Sequence, residues 1–163
     1  AVHSGASSII ALDLLDEKLT LAHQFGATHS VNSGRPNCVE QVLALTDGRG
    51  VDYVFVTVGV KAAIEQSLSL LAKSGTAVIV GMPASGVLAE FDPAALAANG
   101  QSLIGSKMGS ASVKRDIPKL AALYQSGDLR LDELISKRYV LDEINEAIAS
   151  VKRGEALRNV VIF

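Results

Sequence analysis

The run Val51-Asp52-Tyr53-Val54-Phe55-Val56-Thr57-Val58-Gly59 limits what this chain can fold into more than any other stretch. It is β-branched and nearly all apolar, and it closes on a glycine. A strand that is apolar along both faces has to be covered on both, the situation of a parallel strand inside a layered α/β sheet. Its neighbours fit that setting. Residues 8–13 read as a short buried strand, and Leu15, Leu19, Ala22 and Phe25 then recur at helical spacing up to Gly26, a natural helix stop. Residues 28–31 read as a second strand. Val39, Val42, Leu43 and Thr46 mark a short helix before the turn Asp47-Gly48-Arg49-Gly50.

After the long run, Ile64, Leu68 and Leu71 share a helical face, and Gly75 opens a strand over residues 76–80 that stops at Gly81-Met82-Pro83. A helix near residues 92–98 and a strand at 102–105 follow. In the last third, Ile117, Leu120 and Tyr124 predict a helix that holds Pro118 in its first turn, where a missing N–H costs nothing. Residues 138–141 predict a strand. Asp142 is placed to cap a helix carrying Ile144, Ile148 and Val151, with Gly154 at its end, and residues 159–163 form the closing strand. Strands alternating with helices through short connections predict an α/β fold with a doubly wound parallel sheet.

Composition narrows the function. A net charge of −2 gives no electrostatic footprint for nucleic acid or an anionic membrane, and no apolar run is long enough to span a bilayer. The first residues lack the charged-then-apolar pattern of a secretory leader, so none is expected among them. The single cysteine, Cys38, suits a reducing, cytoplasmic setting. Cys38, His3, His23 and His29 lack metal-ligand spacing, so these residues are expected to hold no zinc.

Ligands of doubly wound sheets bind beyond the carboxyl ends of the strands. That rule selects Asp13, Val58-Gly59, Gly81-Met82-Pro83 and Gly105-Ser106. An acid at Asp13 can accept hydrogen bonds from an adenosine ribose and repel a 2′-phosphate; it can equally cap the following helix. Lys18, one turn on, can reach the same ribose or stand in solvent. Gly59 either lets a flat ring approach the main chain, with Val58 as its apolar face, or simply makes a turn. Arg158 either forks onto a pyrophosphate or is a surface arginine. No G-x-G-x-x-G follows a strand, and there is no Ser-His-Asp arrangement and no H-E-x-x-H. The residues alone describe a nucleotide-binding half without a reactive centre.

Several blocks in order carry a family likeness. Ser4-Gly5-Ala6-Ser7-Ser8-Ile9-Ile10-Ala11-Leu12-Asp13, Glu17-Lys18 and Phe25-Gly26-Ala27-Thr28 resemble the second strand and helix of the zinc-dependent medium-chain alcohol dehydrogenases. Thr46-Asp47-Gly48-Arg49-Gly50-Val51-Asp52-Tyr53, Val80-Gly81-Met82-Pro83 and Leu157-Arg158-Asn159-Val160-Val161 continue the match over the whole chain. The branch it most resembles is that of the glutathione- or mycothiol-dependent formaldehyde dehydrogenases and their bacterial alcohol dehydrogenase relatives.

The likeness implies a Rossmann domain for NAD over residues 1–107, lacking its first strand and glycine-rich turn. Residues 108–163 are then a C-terminal segment that packs on it and, in the complete enzyme, on a zinc-carrying catalytic domain. It implies that Asp13 accepts the ribose with Lys18 beside it, that Val58 and Gly59 line the adenine and ribose side, and that Val80 and Met82 flank the nicotinamide. The main chain at Ser106 and Met108 would hold the carboxamide, and Arg158 the pyrophosphate. Residues 88–91 resemble the edge strand through which these enzymes form homodimers. Lys107 and Ser110 depart from the animal enzymes, which tend to be apolar or glycine there. In the strand order 3-2-1-4-5-6 the first strand lies mid-sheet, so the strands ending at Asp13 and Gly59 are expected not to pair with each other. The expected activity of the complete protein is hydride transfer between NAD and a small alcohol or aldehyde, with zinc polarising the oxygen and these residues alone inactive. The alternatives are a non-catalytic nucleotide-binding or dimerisation module, and a methyltransferase, whose fold also puts an acid after its second strand.

Overall fold

The computed structural model describes residues 1–163. The chain divides into two compact units, Ala1–Ala111 and Ser112–Phe163. The first holds β1 (Ile10–Asp13), α1 (Asp16–Gln24), β2 (His29–Asn32), α2 (Cys38–Ala44), β3 (Val51–Val56), α3 (Lys61–Ser69), β4 (Leu71–Ile79), α4 (Pro93–Ala98) and β5 (Ser102–Gly105). The second holds α5 (Val113–Gln125), β6 (Ile135–Val140), α6 (Ile144–Lys152) and β7 (Arg158–Ile162).

Every strand pair is parallel, as the alternation of strands and helices predicts. In the first unit β1 pairs with β2, while β3, β4 and β5 form a separate sheet in that order. β1 and β3 do not pair, so each keeps an open edge on the side away from its one partner. The two sheets share one core all the same. Val31 on β2, Cys38 and Val42 on α2, and Leu70 are buried together, with Ile10, Leu12, Val51 and Val54 packed against them. Burying an aliphatic side chain of this size contributes roughly 1.5–3 kcal/mol. The short α2 therefore bridges strands that have no hydrogen-bonded ladder between them.

One glycine fixes the entry to β3. Gly50 has φ 84°, and a Cβ on it would stand 2.7 Å from Leu70 O and Ala72 N. Only glycine meets both conditions. The turn before it is closed by Thr46, whose Oγ1 accepts from Gly50 N at 3.0 Å, and by a fork from Arg49 to Asp52 at 2.7 and 3.2 Å. That hydrogen-bonded guanidinium holds the Asp52 carboxyl below its ordinary range.

Several expectations need correction. Leu71 is not on the α3 face: Leu70 N closes the helix onto Ser67 O at 3.3 Å, and Leu71 begins β4 opposite Val51. Gly75 lies within β4 rather than opening it. The ladder is interrupted between Val51 and Tyr53, with Ser74 at φ 61°, and resumes at Thr76. β3 stops at Val56, because Val56 O accepts from both Val80 N and Gly81 N and the chain then turns away. Nor is β3 covered on both faces within this chain: Tyr53 and Phe55 stack at 6.3 Å with 64% and 60% of their surfaces exposed.

In the second unit Pro118 sits inside α5, not in its first turn. The helix starts at Val113 because Ser112 N donates to Asp116 Oδ2 at 2.8 Å. Asp142 does not cap α6. It lies in a 3-10 turn of Leu141–Glu143, closed when Val140 N donates to Glu143 Oε2 at 3.2 Å. Residues 88–91 form no strand, since no neighbouring segment of the chain offers them a ladder.

Candidate functional site

Asp13 ends β1, and its side chain does not cap α1. Its Oδ1 accepts from Leu15 N at 3.0 Å, two residues on, and α1 begins only at Asp16 with no side-chain cap. This Asx-type contact shapes the turn that leaves the strand and occupies one carboxylate oxygen. The other oxygen has no protein partner. Asp13 O accepts from Ser33 N at 3.0 Å, so the loop after β2 is tied to the same turn. Asn32 adds a second tie, donating to Leu14 O at 3.1 Å and to Asp16 Oδ1 at 2.7 Å. Lys18 lies in α1 and is half-buried. Asn32 escaped the sequence reading, because an asparagine ending a strand looks like any turn residue.

At the second sheet the carboxyl ends of β3, β4 and β5 gather. A Cβ on Gly59 would stand 2.7 Å from Met82 C and 3.0 Å from Pro83 N, and one on Gly81 2.6 Å from Thr57 C and in collision with the Val58 main chain. The two glycines thus let the Thr57–Gly59 and Gly81–Pro83 segments lie main chain against main chain. The room beside Gly59 is filled by Met82 and Pro83 rather than left open. Val58 and Met82 remain exposed, at 50% and 72%, and Val80 is half-buried behind them. Solvent-facing apolar side chains at strand ends suit a flat ring.

Ser106 N donates to Ile79 O at 2.9 Å, so this amide is already spent on extending the β4–β5 ladder and only the carbonyl is open. Beyond it Met108, Gly109 and Ser110 all have positive φ, at 53°, 71° and 50°. Each non-glycine residue in that region costs on the order of 1 kcal/mol, and such strain clusters where ligands bind. The residues themselves gave no signal of it; only the family resemblance named Met108.

Arg158 belongs to the second unit, where it is exposed at the first position of β7, in register with Ile135. Its neighbour Asn159 anchors β7 to α6, donating to Ala147 O at 3.0 Å and Ser150 Oγ at 2.6 Å. Tyr139 OH reaches the same Ser150 hydroxyl at 3.4 Å. No group of three or more histidine, cysteine, aspartate or glutamate side chains is arranged to hold a metal ion. Cys38 is buried, which together with nearby Glu40 pushes its thiol above the ordinary range. No helix is long and apolar enough to cross a membrane.

Residues 1–126 match the family described as zinc-binding dehydrogenase. The S-(hydroxymethyl)glutathione dehydrogenase 1 of Schizosaccharomyces pombe, so described as probable, is 34% identical over 99% of this chain and 43% of its own length. Benzyl alcohol dehydrogenase from Acinetobacter calcoaceticus superposes with a TM-score of 0.94 at 36% identity, over 99% of this chain and 44% of that one. A zinc-binding dehydrogenase structure from Sinorhizobium meliloti, bound to NADP, superposes at 0.89 with 28% identity, over 99% and 47%. The chain spans under half the length of the curated relatives it matches.

Proposed function

The chain belongs to the zinc-binding dehydrogenase family, and from that premise we propose that it holds NAD in an alcohol or aldehyde dehydrogenase whose remaining residues lie outside this chain. The observation that carries the reading is Asp13: an acid at the carboxyl end of a parallel strand, with one oxygen fixed by Leu15 N and the other open. An adenosine ribose offers the two hydroxyls such a carboxylate accepts from, while a 2′-phosphate would meet its charge. Lys18 lies one turn beyond. Val58, Gly59, Val80 and Met82 line the carboxyl ends of β3 and β4, where their apolar surfaces suit the cofactor's rings. The carbonyl of Ser106 and the strained turn at Met108 lie at the end of β5, on the nicotinamide side of this reading. Arg158 is assigned to the pyrophosphate.

Bound there, NAD supplies the hydride acceptor. The chain's own part is to bind and orient it, and to exclude water from its rings. The residues present do not fit zinc, so no step is assigned to a metal here; its ligands belong to the rest of the protein. The open edges of β1 and β3 and the uncovered Tyr53 and Phe55 support a further strand and helix supplied from outside these residues, since unpaired ladder groups and exposed aromatic faces are costly. Exposed Val87, Leu88 and Phe91 support pairing of two copies through that segment. The buried Cys38 thiol suits a cytoplasmic setting.

The test is calorimetric titration of NAD into the protein carrying this chain. Asp13→Ala is expected to weaken binding about tenfold or more, as loss of charge-assisted hydrogen bonds would. Unchanged affinity would refute the assignment.

A further inference from the structure

The chain holds one asparagine followed by glycine, Asn99-Gly100, at the end of α4. Such a pair is prone to lose its side-chain amide, because no Cβ on the second residue hinders its main-chain nitrogen from attacking the asparagine Cγ. A bond forms between Gly100 N and Asn99 Cγ, the Gly100 proton passes to water or hydroxide, and Nδ2 leaves as ammonia. Water then opens the five-membered imide at either carbonyl, leaving an aspartate or an isoaspartate at position 99.

The fold holds the reacting atoms apart. Asn99 Nδ2 donates to Ala95 O at 3.0 Å, and Gly100 N donates to Ala97 O at 3.1 Å. Asn99 has ψ −2°, which eclipses Gly100 N with Asn99 N instead of with Cβ, where ring closure needs it. Asn99 O accepts from Ser74 N at 2.8 Å, which pins the same peptide to the interrupted part of β4.

The lock is only as firm as α4. That helix has six residues and buries none of them, so little apolar contact opposes its opening. Its start is tied by Asp92 Oδ1, which accepts from Ala94 N and Ala95 N, and a helix so short opens as one cooperative piece. Asn99 also borders a cavity of about 270 Å³ with Ser69, Asp92 and Gln101, room for several waters.

We infer that Asn99 is a deamidation site gated by the opening of α4, with Asp92 at the far end of the helix controlling its rate. The inference stands apart from the cofactor reading above. When α4 opens, Gly100 N and the Asn99 amide are released together and the ring can close. The product puts a carboxylate at a helix C-terminus, where negative charge is unfavourable, and beside Asp92 in the same cavity. Neither product can restore the Nδ2 contact to Ala95 O, so the modified chain opens more readily.

Peptide mapping by mass spectrometry follows the protein carrying this chain over days at mildly alkaline pH, folded and in urea, beside Asp92→Ala and Asp92→Gly. Circular dichroism checks that each is folded before ageing. Asn99 is expected to convert at least about tenfold faster in urea than in the folded protein. Asp92→Ala is expected to quicken the folded reaction about fivefold, as loss of a helix cap implies, with its rate in urea unchanged. Asp92→Gly, a milder loss of the cap, is expected to fall between it and the parent, and decides the matter if Asp92→Ala does not fold. Equal rates folded and in urea, folded variants that age like the parent, or an Asn99 that stays intact in urea overturns the inference.

Discussion

Replacing Gly59 by alanine puts a methyl group where the structure has none to spare. The new Cβ would stand 2.7 Å from Met82 C and 3.0 Å from Pro83 N, and would collide with Met82 O. These are main-chain atoms, so they cannot swing aside as a flexible side chain would. Overpacking of this kind costs about 1–3 kcal/mol. Against it stands about 0.4–1 kcal/mol gained because alanine has fewer unfolded conformations than glycine. The net expectation is a loss of about 1–2 kcal/mol, a fall in Tm of about 2–8 °C for a chain of this length. Gly105→Ala is the matched control. Neither glycine has a positive φ, but a Cβ on Gly105 would meet nothing within 4 Å. Its Tm should be equal to or slightly above that of the parent. Thermal unfolding followed by circular dichroism compares the three proteins. If Gly59→Ala and Gly105→Ala melt together, the account of the β3–β4 carboxyl ends as main chain packed on main chain is wrong.

Other expectations are simpler. Asp92 caps α4, its Oδ1 accepting from Ala94 N at 2.8 Å and Ala95 N at 3.2 Å, so Asp92→Ala should lose about 1 kcal/mol in denaturant unfolding; an unchanged midpoint would remove the cap from the account. Burial pushes the Cys38 thiol up, so thiolate is scarcer in the folded chain and the stability this gives is lost as pH rises through the raised value. A thiol reagent at mildly alkaline pH should therefore label the native protein far more slowly than the unfolded one, and equal rates would contradict the burial. Leu88→Asp should shift sedimentation toward the monomer, as pairing of two copies through residues 88–91 requires; an unaltered profile would place the contact elsewhere.

The sequence reading succeeded where one residue type has one physical use. The unbroken run from Val51 demanded a layered parallel sheet, and the parallel sheets were found. The absence of a ladder between β1 and β3 matches the strand order that the family resemblance implies. Where it failed, a local pattern ran across a boundary set by tertiary contacts. Leu71 keeps the helical spacing of Ile64 and Leu68, yet Val51 claims it for a ladder. Pro118 lies inside α5 because Asp116 and Ser112 start the helix earlier than its apolar stripe suggests. At the candidate site, what was legible was the place of Asp13 at the end of a strand. Asn32 and the left-handed turn at Met108–Ser110 were not, because their meaning lies in partners and dihedral angles that no spacing encodes.

The measurement that bears most directly on the central claim is a crystal structure of the protein carrying this chain with NAD bound. The account predicts the adenosine ribose hydroxyls within hydrogen-bonding distance of the Asp13 carboxylate oxygen that Leu15 N leaves free. A cofactor seated away from the end of β1, with Asp13 bonded only to Leu15 N, would contradict it.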